Sequence, residues 1–337
     1  MRIEAKSLDD AMGLIFRRLL KSGDPISPGK GPAREFRSVL VEISNPRARF
    51  SRTENRATLF SCLGETLWYL SGSDDLKHIE YYIPGYRKFI DASPQDERAP
   101  GAYGPRLFGG GEASQMAQLV AMLKKKQGKS DTRQALAQVF RQSDLRDSSG
   151  DIPCTTALQF LPRRGMLHMI VTMRSNDAYL GFPHDVFAFT FMQELVARQL
   201  GLELGTYSHF VGSLHLYERD EENAREYIKE GWQSPVSMPP MPKQDPEPAL
   251  AWLLRAESAI RAGGCIPAQQ GIDPYWLDLA RILRLKILLY ERNFRDVVTL
   301  QSEMSSNVYK TFIRGKQVAL EQKLSQQGEL PGLNGKI

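Results

Sequence analysis

Cys154 stands in the segment DIPCTTALQF, directly after a proline and at the mouth of a strand-like run. A cysteine in such a place is either a small apolar core residue or, where a neighbour favours its thiolate, a nucleophile. Taken alone, Cys154 reads as the former. Twenty residues on, MRSNDAYLGFPHD sets Arg174, Ser175, Asn176 and Asp177 in succession at the exit of an apolar strand. The planar fork of an arginine there could keep an adjacent thiol ionised or clamp a phosphate. A surface turn would account for the four polar residues equally well.

The elements that must position these groups follow from periodicity. Residues 6–21 carry apolar positions at helical spacing, 36–45 alternate as a strand does, and 55–72 predict a helix ending at Gly72. Residues 74–113, rich in Pro, Gly and Tyr, are expected to be irregular; 114–127 predict a helix and 132–141 a strand. Residues 157–162 and 166–173 predict a hairpin around Arg163, Arg164 and Gly165, followed by a long, mostly apolar helix at 184–201 and a strand at 206–217. The fold class expected is α+β: a mainly antiparallel sheet packed with helices, one of them long and buried.

Six prolines fall in the sixteen residues QSPVSMPPMPKQDPEP (233–248), a composition that cannot continue regular structure. It divides the chain into a core (1–235), a Pro-rich linker (236–248) and a helical C-terminal extension (249–337), the last with helical periods at 249–263, 274–292 and 294–324.

Of the 337 residues, 42% are hydrophobic and 25% charged, and no apolar run approaches the ~20 residues needed to cross a bilayer. The first residues, MRIEAKSLDDAMGLIF, lack the basic tip and apolar stretch of a secretion signal, so a cytoplasmic protein without membrane contact is expected. Cys62, Cys154 and Cys265 form no CxxC pair and no histidine cluster has metal-ligand spacing, so neither a disulfide framework nor a metal is expected. The net charge of +5 suits an anionic partner such as a phosphorylated metabolite. The basic run KKKQGKSD (124–131) has no interleaved aromatics to stack bases and reads as a solvated loop, so no nucleic acid is expected.

With GETLWYLSG (64–72) and AYG (102–104) upstream, the segments PCTTALQF, MRSNDAYLGFPHD and VGSLHLY resemble the thymidylate synthases in order and spacing. They resemble more closely the sister enzymes, the deoxycytidylate and cytidylate hydroxymethylases. The likeness covers about residues 6–235. It implies a thymidylate-synthase-like fold and a set of roles. Cys154 matches the nucleophile that adds to C6 of a pyrimidine nucleotide, making C5 nucleophilic in turn. Arg174 and Ser175 match the phosphate-binding pair, and Arg133 matches an arginine that reaches the phosphate of a partner subunit, which implies a homodimer. Asp177 falls with the substrate contacts, and His215 and Tyr217 match a pair that bonds the sugar hydroxyl. Tyr103 matches a tyrosine linked to removal of the C5 proton, and Glu65 a glutamate that organises water and proton traffic. Tyr86 and Phe89 take the places of aromatics beside the folate.

Asp185 is the informative difference. The synthases carry asparagine there, which can both donate to O4 and accept from N3–H of uracil. An ionised aspartate only accepts, which suits the 4-amino group of cytosine and supports protonation at N3. The hydroxymethylases carry aspartate. The resemblance therefore implies 5-hydroxymethylation of CMP or dCMP with 5,10-methylene-tetrahydrofolate and water, without a metal. The alternatives are a divergent thymidylate synthase methylating dUMP and a non-catalytic pyrimidine-nucleotide binder. The chain departs from the synthases in several places. Lys30 or Arg34 would have to replace an N-terminal phosphate-loop arginine, Gln134 stands for a second arginine, and Thr155 stands for the histidine after the nucleophile. A long extension follows where synthases end in a short tail that closes the folate site.

Overall fold

The computed structural model describes residues 1–53, 58–127, 131–146 and 150–326. The chain opens with β1 (Arg2–Ala5), α1 (Leu8–Ser22), β2 (Asp24–Ile26) and β3 (Ala33–Ile43), then α2 (Leu59–Leu70), α3 (Leu76–Tyr82), α4 (Tyr86–Phe89), α5 (Tyr103–Leu107) and α6 (Gln115–Lys126). Next come β4 (Leu136–Gln138), β5 (Thr155–Arg163), β6 (Met166–Asp177), α7 (Gly181–Gln199), β7 (Glu203–Tyr217) and α8 (Glu221–Lys229). Four helices complete it: α9 (Glu247–Arg261), α10 (Pro274–Tyr290), α11 (Phe294–Ser302) and α12 (Asn307–Gln326).

Seven strands form one mixed sheet in the order β1-β3-β7-β6-β5-β4, with β2 beside β3. Two pairings are parallel, β1 with β3 and β6 with β7; the other four are antiparallel, so the sheet is mainly antiparallel as expected. The β5–β6 hairpin turns on Arg164 and Gly165, both left-handed with φ of 49° and 76°. Two consecutive positive φ values match the twist of the flanking strands, and glycine takes the second without strain.

Helix α7 is buried nearly all round, from Phe182 to Arg198, and lies over the sheet against α2. Helix α1 shows the usual amphipathic logic. Ser7 caps it by accepting from the Asp10 N–H, and Leu8, Met12, Ile15, Phe16 and Leu19 line its buried stripe.

Several sequence expectations are corrected. The stretch 74–113 is not wholly irregular: it holds α3, α4 and α5, too short for a periodic signal to emerge. The strand expected at 132–141 shrinks to three residues, and the helix at 294–324 breaks between Ser302 and Asn307. Residues 55–57 of the expected 55–72 helix, 128–130 of the basic run and 327–337 of the extension lie outside the described residues.

The proline-rich stretch is anchored. Met238 and Met241 are buried, the Met238 N–H donates to the Arg47 carbonyl at 2.8 Å, and the Met241 N–H donates to Glu194 Oε1 at 3.0 Å. The helices beyond it share one continuous core with the sheet: Trp252, Leu283 and Leu285 join Leu63, Leu67 and Phe187. Polar links reinforce the seam, with Tyr82 donating to Glu257 at 2.8 Å and Lys286 donating to the Tyr81 carbonyl at 2.8 Å.

Candidate active site

Cys154 is half-buried immediately before β5. Its carbonyl accepts the Arg174 N–H at 2.8 Å from the neighbouring β6. The Arg174 side chain turns back onto the same loop, where Nε donates to the Pro153 carbonyl at 3.1 Å and Nη2 to the Ile152 carbonyl at 2.7 Å. The Cys154 segment is thus tied to the expected phosphate ligand through both the backbone and the side chain of Arg174. Burial pushes the thiol above its ordinary range; the charges of Arg174 and Lys30 pull it down without overcoming burial, so Arg174 does not by itself keep the thiol ionised.

Tyr103 opens α5, and its hydroxyl accepts the Thr155 N–H at 3.3 Å. The ring stacks on Tyr69 at 5.0 Å, and the Tyr69 hydroxyl donates to Glu65 Oε1 at 2.8 Å. Glu65 Oε2 in turn meets His184 Nδ1 at 2.6 Å. Burial holds the Tyr103 hydroxyl well above its ordinary range, and the charges that Asp185 and Cys154 carry when ionised add to it. Burial disfavours the imidazolium of His184, but Cys62 and Glu65 beside it outweigh burial and hold it up at about 10.

Asp185 follows His184 in the first turn of α7 and is 9% exposed. Burial and, next, the charge of Glu65 push its carboxyl up to about 8, against the Asn176 hydrogen bond and the His184 charge. The carboxyl therefore holds a proton at neutral pH. This corrects the expectation of an ionised group: Asp185 presents one donor and one acceptor, because a charge buried beside a second carboxylate is unfavourable.

The remaining candidates fall on two flanks. His215 and Tyr217, at the end of β7, stand with ring centroids 4.9 Å apart, and Arg219 covers Tyr217 at 4.2 Å. Ser175 Oγ lies 3.5 Å from His215 Nδ1. Asp177 is engaged by its own turn, its Oδ1 accepting the N–H groups of Tyr179 and Leu180 at 2.8 and 3.0 Å, which shapes the entry to α7. Tyr86 is half-buried, edge-on to Trp68 at 5.6 Å and to the exposed Phe89 at 6.5 Å. Burial, and after it the charge of Glu65, raise the Tyr86 hydroxyl as well. Lys30 contacts the Phe89 carbonyl and Asp91, and its charge acts on the Cys154 thiol, whereas Arg34 is committed to Glu221 at 2.6 Å. Arg133 is exposed at the sheet edge before β4, and its guanidinium makes no ion pair among the described residues.

Four residues of the site went unassigned from sequence: His184, Tyr69, His209 and Tyr207. Asn176, seen there only as part of a polar run, faces inward. The inward alternation of β6 runs through Leu167, Met169, Val171 and Met173 and then slips by one to Asn176, an irregularity that no pattern announces. A signal for His209 did exist, since it occupies the inward phase of β7 between Tyr207 and Val211. A cavity of about 660 Å³ between α1 and the 227–235 segment shares no residue with this cluster. Among the described residues there is no group of three or more His, Cys, Asp or Glu able to hold a metal ion.

The thymidylate synthase family model matches residues 45–246. A deoxyuridylate hydroxymethyltransferase of Bacillus phage SP01 is 30% identical over 61% of the chain, and one of Pseudomonas phage M6 is 32% identical over 49%. A putative thymidylate synthase of Methanocaldococcus jannaschii is 25% identical over 68% of the chain. The chain spans about half the length of the two phage proteins, 56% and 46%, and 96% of the Methanocaldococcus protein. The match embraces α2, α4, α5, the Cys154 loop, the β5–β6 hairpin, α7 and β7, which hold Glu65, Tyr86, Tyr103, Cys154, Arg174, Asp185 and His215: the chain belongs to the thymidylate synthase family.

Proposed function

We propose that the chain hydroxymethylates C5 of a pyrimidine nucleoside monophosphate, with methylene-tetrahydrofolate as carbon donor and water as the last reactant, and that its base is cytosine. The observation that carries this is one linked cluster: Tyr103 accepts the Thr155 N–H beside Cys154 and stacks on Tyr69, Tyr69 donates to Glu65, and Glu65 meets His184, the neighbour of the buried Asp185. A binder needs phosphate and sugar contacts but not a nucleophile with proton-handling groups beside it.

In this reading the Cys154 thiol gives its proton to water as its sulfur bonds to C6, while Asp185 gives its proton to N3. The electron pair gathers at C5, which becomes the carbon that accepts the one-carbon unit. When bound, the folate supplies that unit at the oxidation level of formaldehyde, and the half-buried Tyr86 with Phe89 fits an aromatic ring system there. Water at the Tyr103 hydroxyl takes the C5 proton. Glu65, held on both oxygens by Tyr69 and His184, takes a proton from the water that adds to the exocyclic carbon. The C6–S bond then breaks, N3 returns its proton to Asp185, and the Cys154 sulfur leaves and regains its own proton from water. Arg174 and Ser175 bind the phosphate, and His215 with Tyr217 the sugar.

A homodimer fits the same reading. Leu40, Ile170 and Phe210 sit on the sheet face away from the buried helices, Phe210 with 36% exposure, and Arg133 is free at that sheet's edge to reach a partner's site. No helix among the described residues is long and apolar enough to cross a membrane.

One alternative has specific support: dUMP as substrate. Both phage relatives are named deoxyuridylate hydroxymethyltransferases, and a protonated Asp185 can donate to O4 as asparagine does. Incubation of purified protein with methylene-tetrahydrofolate and CMP, dCMP or dUMP, followed by product mass, decides. A hydroxymethyl group gained by a cytosine nucleotide supports the proposal, and one gained only by dUMP replaces the base. A methylated product would mean that hydride, not water, completes the reaction.

A further inference from the structure

Behind Asp185 three buried side chains form a continuous hydrogen-bonded row. The Tyr207 hydroxyl and His209 Nδ1 are 2.7 Å apart, His209 Nε2 and Asn176 Oδ1 3.0 Å, and Asn176 Nδ2 and Asp185 Oδ2 2.8 Å. Exposure is 0% at Tyr207 and His209, 4% at Asn176 and 9% at Asp185, so the row runs outward from the core to Asp185.

The row has a direction. The Asn176 amide nitrogen donates to Asp185, so its oxygen accepts, and His209 must carry its proton on Nε2. A neutral imidazole then offers a lone pair at Nδ1, which receives the Tyr207 hydroxyl. Deep burial keeps His209 neutral, holding it down at about 3. Reversing every bond would leave the Tyr207 hydrogen without an acceptor among the described contacts, in a site closed to water. The packing matches. A Cβ on Gly181 would stand 2.9 Å from Asn176 Nδ2, so glycine makes room for the Asn176–Asp185 bond, and Phe182 meets the His209 ring edge-on at 5.2 Å.

The two oxygens of Asp185 are thereby made unequal. Oδ2 is committed as an acceptor, and a carboxyl proton resides on Oδ1. Cytosine offers an acceptor at N3 and a donor at its 4-amino group; uracil offers the opposite order. A carboxyl free to turn, or to move its proton between oxygens, would serve both bases. We infer that Tyr207, His209 and Asn176 are positioning residues that fix the donor and acceptor order of Asp185 and so set the choice between cytosine and uracil. This rests on the reading that Asp185 meets the base.

The experiment compares the parent with Tyr207→Phe, His209→Phe and His209→Gln, using CMP and dUMP separately with methylene-tetrahydrofolate. His209→Phe is expected to lower the ratio of kcat/KM between the preferred and the other base by about tenfold or more, with Tyr207→Phe giving a smaller change in the same direction. His209→Gln, which keeps an N–H for Asn176, should recover part of the ratio. A variant that merely loosened the fold would depress both substrates together and leave the ratio intact. An unchanged ratio in folded His209→Phe and Tyr207→Phe protein overturns the inference. If the parent prefers uracil, the cytosine reading fails while the row is still tested by the same ratio in the other direction. If neither nucleotide is turned over, the ratio of their dissociation constants replaces kcat/KM.

Discussion

His184 and Glu65 meet at 2.6 Å across the seam between α7 and α2, and both are nearly buried. Titratable neighbours facing His184 are Cys62, Glu65 and Asp185. The pair gives Glu65 a fixed orientation and a cationic partner at the place where a water would lose its proton.

Its pH signature follows from the sign of the linkage. His184 is held up at about 10, above the ordinary value of 6.5, so its contribution to stability is complete below 6.5 and is lost as pH rises through about 10. His184→Phe should cost roughly 3 kcal/mol at pH 7, and less as the pH approaches 10. Urea unfolding of both proteins across that range checks this. A gap of equal size at pH 6 and pH 10 would refute a charged His184.

Asp185 has the opposite sense. Its carboxyl is pushed up to about 8 from 3.8, so folding is disfavoured increasingly as pH rises from 3.8 to 8. Asp185→Asn should therefore stabilise the protein by about 2 kcal/mol at pH 8 and by little at pH 4. Base preference should move toward the uracil nucleotide. A variant equally stable with the parent at pH 8 would show that Asp185 is not buried as a neutral acid.

A single chain discloses local chemistry more readily than tertiary environment. Asp185 was legible because a side chain's hydrogen-bonding inventory is local information. Its protonation was not, since that depends on Glu65, which lies 120 positions away in sequence and meets it only once α2 packs on α7. Cys154, Arg174 and the hairpin between them were legible by order and spacing. The short helices at 76–107 and the phase slip before Asn176 were not, because both are set by tertiary contacts. Composition marks the proline-rich stretch as a linker, whereas the burial of Met238 and Met241 depends on a surface made by α7 and the segment around Arg47.

Cys154→Ser should abolish turnover, by a factor on the order of 10³ or more, since an alcohol this buried is not ionised at working pH. Nucleotide affinity, carried by the phosphate and sugar contacts, should change less than about threefold. Calorimetric titration with CMP separates the two effects. A parallel loss of binding would place Cys154 among the structural cysteines.

The shared site predicted for a homodimer has a direct test. Arg133→Ala and Cys154→Ala variants should each be inactive, yet after subunit exchange a mixed dimer carries one site lacking both groups and one site intact. About a quarter of parental activity should return at equal mixing. Mixtures that stay inactive after demonstrated exchange would place Arg133 and Cys154 of the same subunit together, or remove Arg133 from the site.

The C-terminal helices add a stability element that the catalytic cluster does not need. Arg49 and Glu194 form an ion pair with 0% exposure on both side chains, and Arg49 leaves Nε and Nη1 without a partner among the described residues. Glu194 Oε1 also accepts the Met241 N–H, Phe191 lies 5.6 Å beneath the guanidinium, and buried Tyr275 and Tyr309 from α10 and α12 lie close enough to feel both charges. Removing one charge from such a pair strands the other, so Glu194→Gln should cost roughly 3–5 kcal/mol even though the amide still accepts from Met241. Adding Arg49→Met removes the stranded cation and keeps that acceptor, so the double variant should be more stable than Glu194→Gln alone. Chemical denaturation of the four proteins gives the coupling directly. If Glu194→Gln costs under about 1 kcal/mol, water or a local opening is compensating Arg49, and the C-terminal helices do not seal it from solvent.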